Sequence, residues 1–215
     1  GLTAIDPGAH SVQVTDTETG EASTLTYDHL ILSPGGLAAR PPIDGLDSPR
    51  VHTLRTVDDA LALREASGTR AVVFGAGFIG IEAAEAFAQR GFETHLVECA
   101  EHVLPSLEVE MATLVTRELR GLGVCVHAGV AAQSITHGDD HDSVTLSDGT
   151  VLTADVIVLS TGVRPDTAFA EAAGIETSRG YILVDEHGCT SADAVYAVGD
   201  GTVGRDHDRP VALAG

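Results

Sequence analysis

Residues 71–82 read Ala71-Val-Val-Phe-Gly75-Ala-Gly77-Phe-Ile-Gly80-Ile-Glu82, and residues 94–98 read Thr94-His-Leu-Val-Glu98. Ala71 to Phe74 is apolar at every position, as in a short parallel strand covered on both faces. Three glycines follow with the spacing Gly75-x-Gly77-x-x-Gly80, and a helical stretch then runs to Arg90, with Gly91 as its C-terminal stop. The next strand, Thr94 to Val97, ends at Glu98, about 20 residues after the first glycine. The glycine spacing alone is common. A strand before it, a helix after it and an acidic residue closing the next strand turn it into the dinucleotide-binding fingerprint. There, Gly75 permits the tight turn and Gly77 lets the backbone approach a pyrophosphate at the helix N-terminus. Gly80 lets helix and strand pack closely. The competing reading is an incidental glycine-rich turn.

Glu98 discriminates between cofactors. A carboxylate at this place accepts hydrogen bonds from both ribose hydroxyls of an adenosine, whereas a 2′-phosphate would sit against it. Two like charges about 4 Å apart cost roughly 4 kcal/mol at an effective dielectric near 20. Cys99 and Ala100 follow, so no arginine is adjacent to receive that phosphate. The expectation is NAD(H) over NADP(H); the plainer alternative is a solvated carboxylate at a strand end.

Outward from this centre the alternation continues. Val57 to Ala66 is expected to be a helix, with Asp58 and Asp59 at its positive end. Leu107 to Leu119 is expected to be another, with Met111, Leu114, Val115 and Leu119 on one face. Val124 to His127 and Asp155 to Ser160 read as further strands, and strand–helix alternation predicts a parallel α/β sheet. Between them, Gln133 to His137, Ser143 to Leu146 and Val151 to Thr153 are short strands joined by polar turns, an antiparallel meander. Residues 37–56 show no clear period and read as a connector. The first 33 residues read as strands, including a hairpin around Pro7-Gly8; residues 166–173 read as a short helix, and Tyr181 to Val184 and Ala194 to Val198 as strands. Three more strand-to-glycine junctions stand out: Leu32-Ser33-Pro34-Gly35, Ser160-Thr161-Gly162-Val163 and Ala197-Val198-Gly199-Asp200. Each brings backbone to the carboxyl end of a strand, where open α/β sheets bind ligands.

Composition narrows the partners. The 215 residues carry 12 basic and 32 acidic side chains, a net charge of −20, and every basic residue is arginine. Such a surface argues against nucleic acid and anionic membranes. High-salt adaptation and a GC-rich genome both account for this balance. No apolar run approaches a membrane span, and no signal peptide opens the chain. Cys99, Cys125 and Cys189 are far apart, without C-x-x-C; they are expected to be buried, inert thiols of a reducing cytoplasm.

The order of these motifs resembles the pyridine nucleotide–disulfide oxidoreductases over nearly all of the chain. In that family an FAD domain is interrupted by an NAD(P) domain and followed by a dimerisation domain. The resemblance implies an α/β fold: a three-layer Rossmann-like NAD-binding domain with parallel sheet and antiparallel meander, at residues 50–165, flanked by partial FAD-binding segments at 1–49 and 166–215. Tyr27 to Gly35 resembles the motif packing on FAD, which assigns Ser33, Pro34 and Gly35 to that cofactor. Residues 190–200 resemble the second FAD motif, which assigns Gly199 and Asp200 to that cofactor, with Asp200 accepting a hydrogen bond from the flavin ribityl chain. Gly75, Gly77, Phe78, Ile79, Gly80, Glu82 and Glu98 resemble the NAD site. Phe78 takes the place of the aromatic that covers the flavin, and Glu82 lies near the nicotinamide carboxamide. Gly162 and Val163, within Thr161-Gly-Val-Arg-Pro165, offer backbone to the same group. Leu32-Ser-Pro-Gly35, Phe78-Ile-Gly-Ile-Glu82 and Glu108-Val-Glu-Met-Ala112 lean toward CoA-disulfide reductases and NADH oxidases or peroxidases.

Two parts of the family pattern have no counterpart before Tyr27: the first FAD glycine motif and the single redox cysteine that follows it. The expectation is therefore an internal fragment whose catalytic cysteine lies upstream and whose parent is a homodimer through a further domain. The parent would pass hydride from NADH through flavin to a disulfide, a sulfenate or oxygen as small-molecule acceptor. The isolated fragment would bind NADH weakly, hold FAD poorly or not at all, and not turn over. The alternatives are a ferredoxin- or rubredoxin-type NADH reductase and a non-catalytic NAD-binding module. No metal site is expected: His137 and His141, with Asp139, Asp140 and Asp142, crowd a hairpin turn, where i, i+4 spacing does not converge. His207 between Asp206 and Asp208 reads as a solvated loop. Ser33 and Ser160 lack hydrolase partners at a recognisable spacing.

Overall fold

The computed structural model describes residues 1–205; His207 and its flanking aspartates lie outside the described residues. In chain order the first elements are β1 (Leu2–Asp6), β2 (Ser11–Thr15), β3 (Ala22–Thr26), β4 (Leu30–Leu32), β5 (Gly36–Ala38) and β6 (Val51–Thr53). There follow α1 (Val57–Glu65), β7 (Arg70–Phe74), α2 (Phe78–Gln89), β8 (Glu93–Glu98), α3 (Val109–Gly121) and β9 (Val124–Ala128). Next come β10 (Ala132–Thr136), β11 (Asp142–Leu146), β12 (Val151–Ala154), β13 (Val156–Leu159) and β14 (Val163–Pro165). The last are α4 (Ala168–Ala172), β15 (Thr177–Ser178), β16 (Tyr181–Val184), β17 (Val195–Ala197) and β18 (Thr202–Gly204). The chain forms two compact units: Ala38–Gly162, and Gly1–Leu37 together with the chain from Val163 onward. No helix among the described residues is long and apolar enough to cross a membrane.

The Ala38–Gly162 unit is built on a five-stranded parallel sheet of order β6-β13-β7-β8-β9. The sheet is buried on both faces because its central strands alternate between two cores. Ala71, Val73, Leu96, Val124, Val156 and Val158 point to the helix side, where they meet Ala84, Phe87 and Leu119. Val72, Phe74, Val97, Ile157 and Leu159 point to the other side, where they meet Val144, Leu146 and Leu152 of the meander. That meander, β10-β11-β12, is antiparallel throughout. Helices, parallel sheet and antiparallel meander make the three layers that the family resemblance implies.

Local chemistry sets the helix ends. Thr56 accepts from the Asp59 amide at 3.1 Å, and the Asp59 carboxylate accepts from the Thr56 amide at 2.9 Å, a reciprocal cap that starts α1. On α3 the expected apolar face is rotated. Ala112 and Leu119 are buried, whereas Met111 is 56% and Leu114 48% exposed. A helix starting at Val109 aligns 112, 115 and 119 inward at the 3.6-residue period; 111 and 114 stand about 100° away.

The stretch 37–56 is more than a connector. Val51–Thr53 is the edge strand of the parallel sheet, paired with β13. Ile43 and Leu46 pack on the meander core, and the Ile135 amide donates to the Asp44 carbonyl at 2.7 Å. The unit accordingly opens at Ala38, where sequence reading sets a boundary between 49 and 50. Arg50 completes the attachment through the fully buried Asp142 carboxylate, at 2.9 Å, and the carbonyls of Gly138 and Asp139. Burial pushes the Asp142 carboxyl up, but hydrogen bonds from Ser48, His137 and Arg50 outweigh it and hold the group below its usual range. His137, 2.8 Å from the same oxygen, thus belongs to a polar staple on the β10–β11 turn.

The other unit joins both chain segments in one core: Ile5, Val12 and Leu32 from the first, Ala170, Ile182, Val195 and Ala197 from the second. Its β1-β2-β3 sheet is the expected hairpin extended by one strand, and β4 pairs in parallel with β17.

Asp155 clamps the start of β7. Its carboxylate accepts from the Thr69 and Arg70 amides at 2.9 and 3.0 Å and from the Arg70 guanidinium at 2.6 Å. The guanidinium contact holds the carboxyl at about 2, below the ordinary 3.8. A depressed carboxyl stabilises the fold above its unfolded value, and the contribution is lost as pH falls through the folded one. Asp155→Asn should lower stability at neutral pH by about 1–3 kcal/mol. It should also flatten the loss of stability between about pH 4 and pH 2. Urea unfolding at a series of pH values measures both; unchanged curves would exclude the clamp.

Candidate cofactor cleft

The cleft begins where β7 ends. Gly75 turns the chain at φ +93°, and its amide donates to the Val97 carbonyl at 2.8 Å. A side-chain carbon on Gly75 would lie 2.5 Å from the Ser160 carbonyl oxygen. One on Gly80 would lie 1.8 Å from the Gly75 carbonyl oxygen and 2.5 Å from Ser160 Oγ. Ser160 Oγ in turn donates to the Phe74 and Gly75 carbonyls at 2.7 and 3.0 Å. Two glycines therefore let the ends of β7 and β13 and the first turn of α2 meet backbone to backbone.

Gly77 has a different reason. It caps α2, and a side-chain carbon there would meet nothing within 4 Å. The position instead lines the open cleft. No side chain caps that terminus and no acidic residue lies in its first turn, whereas α1 carries Asp58 and Asp59 and α3 carries Glu110. The leading amides and the positive end of the dipole thus face a cradle that fits an anion.

Glu98 closes the site from β8 and is only 7% exposed. Its Oε2 accepts from the Ala76 amide at 2.7 Å; its Oε1 accepts from the Ala100 amide at 2.8 Å and from the Cys99 thiol at 3.3 Å. Glu98, Cys99, Gly75, Gly77 and Gly162 line one cleft of about 520 Å³. Its far walls are Pro41 to Ile43 and Val130 to Ala132, segments that carry no motif. Cys99 and Cys125 are exposed rather than buried: one lies beyond the carboxyl end of β8, the other on the edge strand β9. The hydrogen bond to Glu98 pushes the Cys99 thiol up, so it stays protonated at neutral pH.

The other expected residues fall elsewhere. Phe78 is 67% and Ile79 49% exposed on the first turn of α2, and neither lines the cleft. Glu82 borders a separate groove with Leu63, Ala83 and Phe87. Val163 is exposed in β14, within the other unit. That unit brings its own motifs together. The Val198 amide donates to the Leu32 carbonyl at 2.9 Å, and Gly35 and Gly199 turn at φ +63° and +86°. A carbon on Gly199 would lie 3.6 Å from Ser33 Oγ, and one on Gly201 2.8 Å from Pro34 Cγ. The Ser33-Pro34-Gly35 turn and the exposed Asp200 thus stand side by side at the carboxyl ends of β4 and β17. Close approach by backbone, with an exposed carboxylate at the rim, fits a dinucleotide cofactor there.

The sequence pattern of the pyridine nucleotide-disulphide oxidoreductases matches residues 1–214. The chain belongs to this family. Among curated members it is 38% identical over 193 residues to the rubredoxin-NAD(+) reductase of Alcanivorax borkumensis, covering 88% of this chain and 50% of that enzyme. Among solved members it resembles a FAD-dependent pyridine nucleotide-disulphide oxidoreductase from Desulfovibrio vulgaris, with 33% identity and a TM-score of 0.83, covering 94% of this chain and 52% of the other. It also resembles the water-forming NADH oxidase of Lactobacillus brevis bound to NADH, with 28% identity and a TM-score of 0.88, covering 94% and 45%. The chain spans half or less of the curated relatives it matches.

Sequence reading missed Ala76 and Cys99 as partners of Glu98, and Ser160 as the bolt on the glycine turn. The x positions of a glycine motif carry no signal for the first, and a backbone-directed hydroxyl none for the last. The close approach has a direct test. Gly80→Ala should lower thermal stability by about 1–3 kcal/mol or more and displace the Gly75 turn. Gly121→Ala, where the added carbon meets nothing within 4 Å, should be nearly neutral. Equal melting of the two variants would refute the contact.

Proposed function

We propose that the Ala38–Gly162 unit binds NADH in the cleft between Gly75, Glu98 and Gly162, and that the other unit contributes to an FAD site through Ser33, Pro34, Gly35, Gly199 and Asp200. The observation that carries this reading is the buried Glu98 carboxylate, held at the mouth of a glycine turn and beside an uncapped helix N-terminus. When both cofactors are bound, NADH supplies hydride to FAD, and the reduced flavin supplies electrons to an acceptor. The chain's own residues bind and orient. Glu98 accepts from the adenosine ribose and repels a 2′-phosphate. The first amides of α2 meet the pyrophosphate, with Gly77 leaving them accessible. Gly162 offers backbone to the carboxamide; Glu82, which the family resemblance sets near that group, borders a separate groove, and Phe78 and Ile79 form an exposed apolar surface on the first turn of α2.

The whole protein is proposed as an NADH-dependent flavoprotein oxidoreductase acting on a disulfide, a sulfenate or oxygen. Likeness to an NADH oxidase over 94% of the chain supports this branch. A second reading, electron delivery to a rubredoxin- or ferredoxin-type protein, is favoured by the 38% identity to a rubredoxin reductase. Three free cysteines suit a cytoplasmic setting.

Fluorescence titration should show NADH binding more tightly than NADPH. Glu98→Gln keeps an acceptor for Ala76 but removes the charge. NADPH affinity should then rise about tenfold or more, a part of the roughly 4 kcal/mol repulsion, while NADH loses less than tenfold. Tighter NADPH binding by the unaltered chain would refute the assignment of Glu98.

A further inference from the structure

Glu98 is held by three donors of the protein: the Ala76 amide on Oε2, and the Ala100 amide and Cys99 thiol on Oε1. A carboxylate offers about four lone-pair directions. Oε1 is therefore filled by the protein and one direction of Oε2 remains for a ligand, room for one ribose hydroxyl where the sequence leads to an expectation of two. The Ala76 peptide cannot drift, because its carbonyl accepts from the Leu104 amide at 2.8 Å and its side chain is fully buried. Ala100 is fixed similarly, its carbonyl accepting from the Gly129 amide at 2.8 Å. Cys99 is the one side chain of the three, and it lines the same cleft as Glu98.

We propose that Cys99 is a positioning residue for cofactor selection: together with the Ala76 and Ala100 amides, its thiol narrows the rotation of the Glu98 carboxylate so that Oε2 faces the ribose and the charge stays where a 2′-phosphate would lie. This inference rests on the reading of the cleft as an NADH site. Removing the thiol leaves Oε1 with the Ala100 amide as its single donor, so the two amides alone hold the carboxylate and its rotation about the Cγ–Cδ bond loosens. The ribose then loses a pre-oriented acceptor, and the phosphate meets a charge that can move aside. The consequence falls on affinity and on the NADH/NADPH ratio together. The thiol is a weak donor, so the effect is moderate. A hydroxyl donates more strongly, so serine conserves the function.

The test uses the chain with Cys99→Ala and Cys99→Ser, titrated with NADH and with NADPH alongside thermal melting. Cys99→Ala should weaken NADH about fivefold, the factor that about 1 kcal/mol represents, and narrow its preference over NADPH, with the melting temperature unchanged. Cys99→Ser should restore both affinity and preference. In a Cys125→Ser, Cys189→Ser background, saturating NADH should slow alkylation of Cys99 by iodoacetamide. Unchanged NADH affinity and ratio in Cys99→Ala would overturn the proposal, as would a serine variant that fails like alanine or unprotected alkylation at saturation. If the unaltered chain binds no NADH, the reading of the cleft itself is what fails.

Discussion

The nucleotide-binding architecture depends on one place where no side chain fits. Gly75, Gly80 and Ser160 bring the ends of two parallel strands and the start of a helix to backbone contact, and the space a methyl group would take on Gly80 already holds a carbonyl oxygen. Several features follow from that approach. The turn leaves β7 at a left-handed angle, α2 lies close over the sheet, and its amino end is delivered to the sheet's carboxyl edge beside Glu98. Ser160 holds the arrangement twice over: its amide donates to the Phe74 carbonyl at 2.8 Å, and its hydroxyl proton is shared between the Phe74 and Gly75 carbonyls.

Glu98 shows how a charge is kept in a nearly buried position. Its carboxylate takes two amides and a thiol rather than a basic side chain. A neighbouring arginine would neutralise it and with it the proposed discrimination between NADH and NADPH. Backbone donors satisfy it without cancelling its charge. Asp142 illustrates the opposite arrangement: it is fully buried but paired with Arg50, and it ties residues 48–50 to the β10–β11 turn.

How much of this was legible in the sequence varies with its physical origin. The path through β7, α2 and β8 was readable because burial on both faces forces an unbroken apolar run and because steric exclusion forces glycine. The meander was readable from short alternating runs between polar turns. By contrast, Pro41 to Ile43 form a cleft wall through tertiary packing alone, and β6 is three residues long, too short to show a period. The inward face of α3 was misread because alanine at 112 is a weaker hydrophobic signal than Met111 and Leu114, although it is the residue that fits beneath the helix. Cys99 was expected to be a buried, inert thiol, yet it lies exposed at the end of β8; residue type told nothing of its partner.

The Ala39 amide donates to the Gly162 carbonyl at 2.9 Å, so the unit between them starts and finishes at nearly the same point. This has a bearing on assembly. The surrounding unit must join β4 to β17 across the whole intervening stretch, a separation that for a flexible chain costs about 4 kcal/mol in loop-closure entropy. Once the contiguous unit has folded, that stretch is no longer a long flexible loop: its two ends are held within a hydrogen bond of each other. The insertion then acts on its host as a short tether. The natural order of events is inner unit first, outer unit second, with the distant strands paired last.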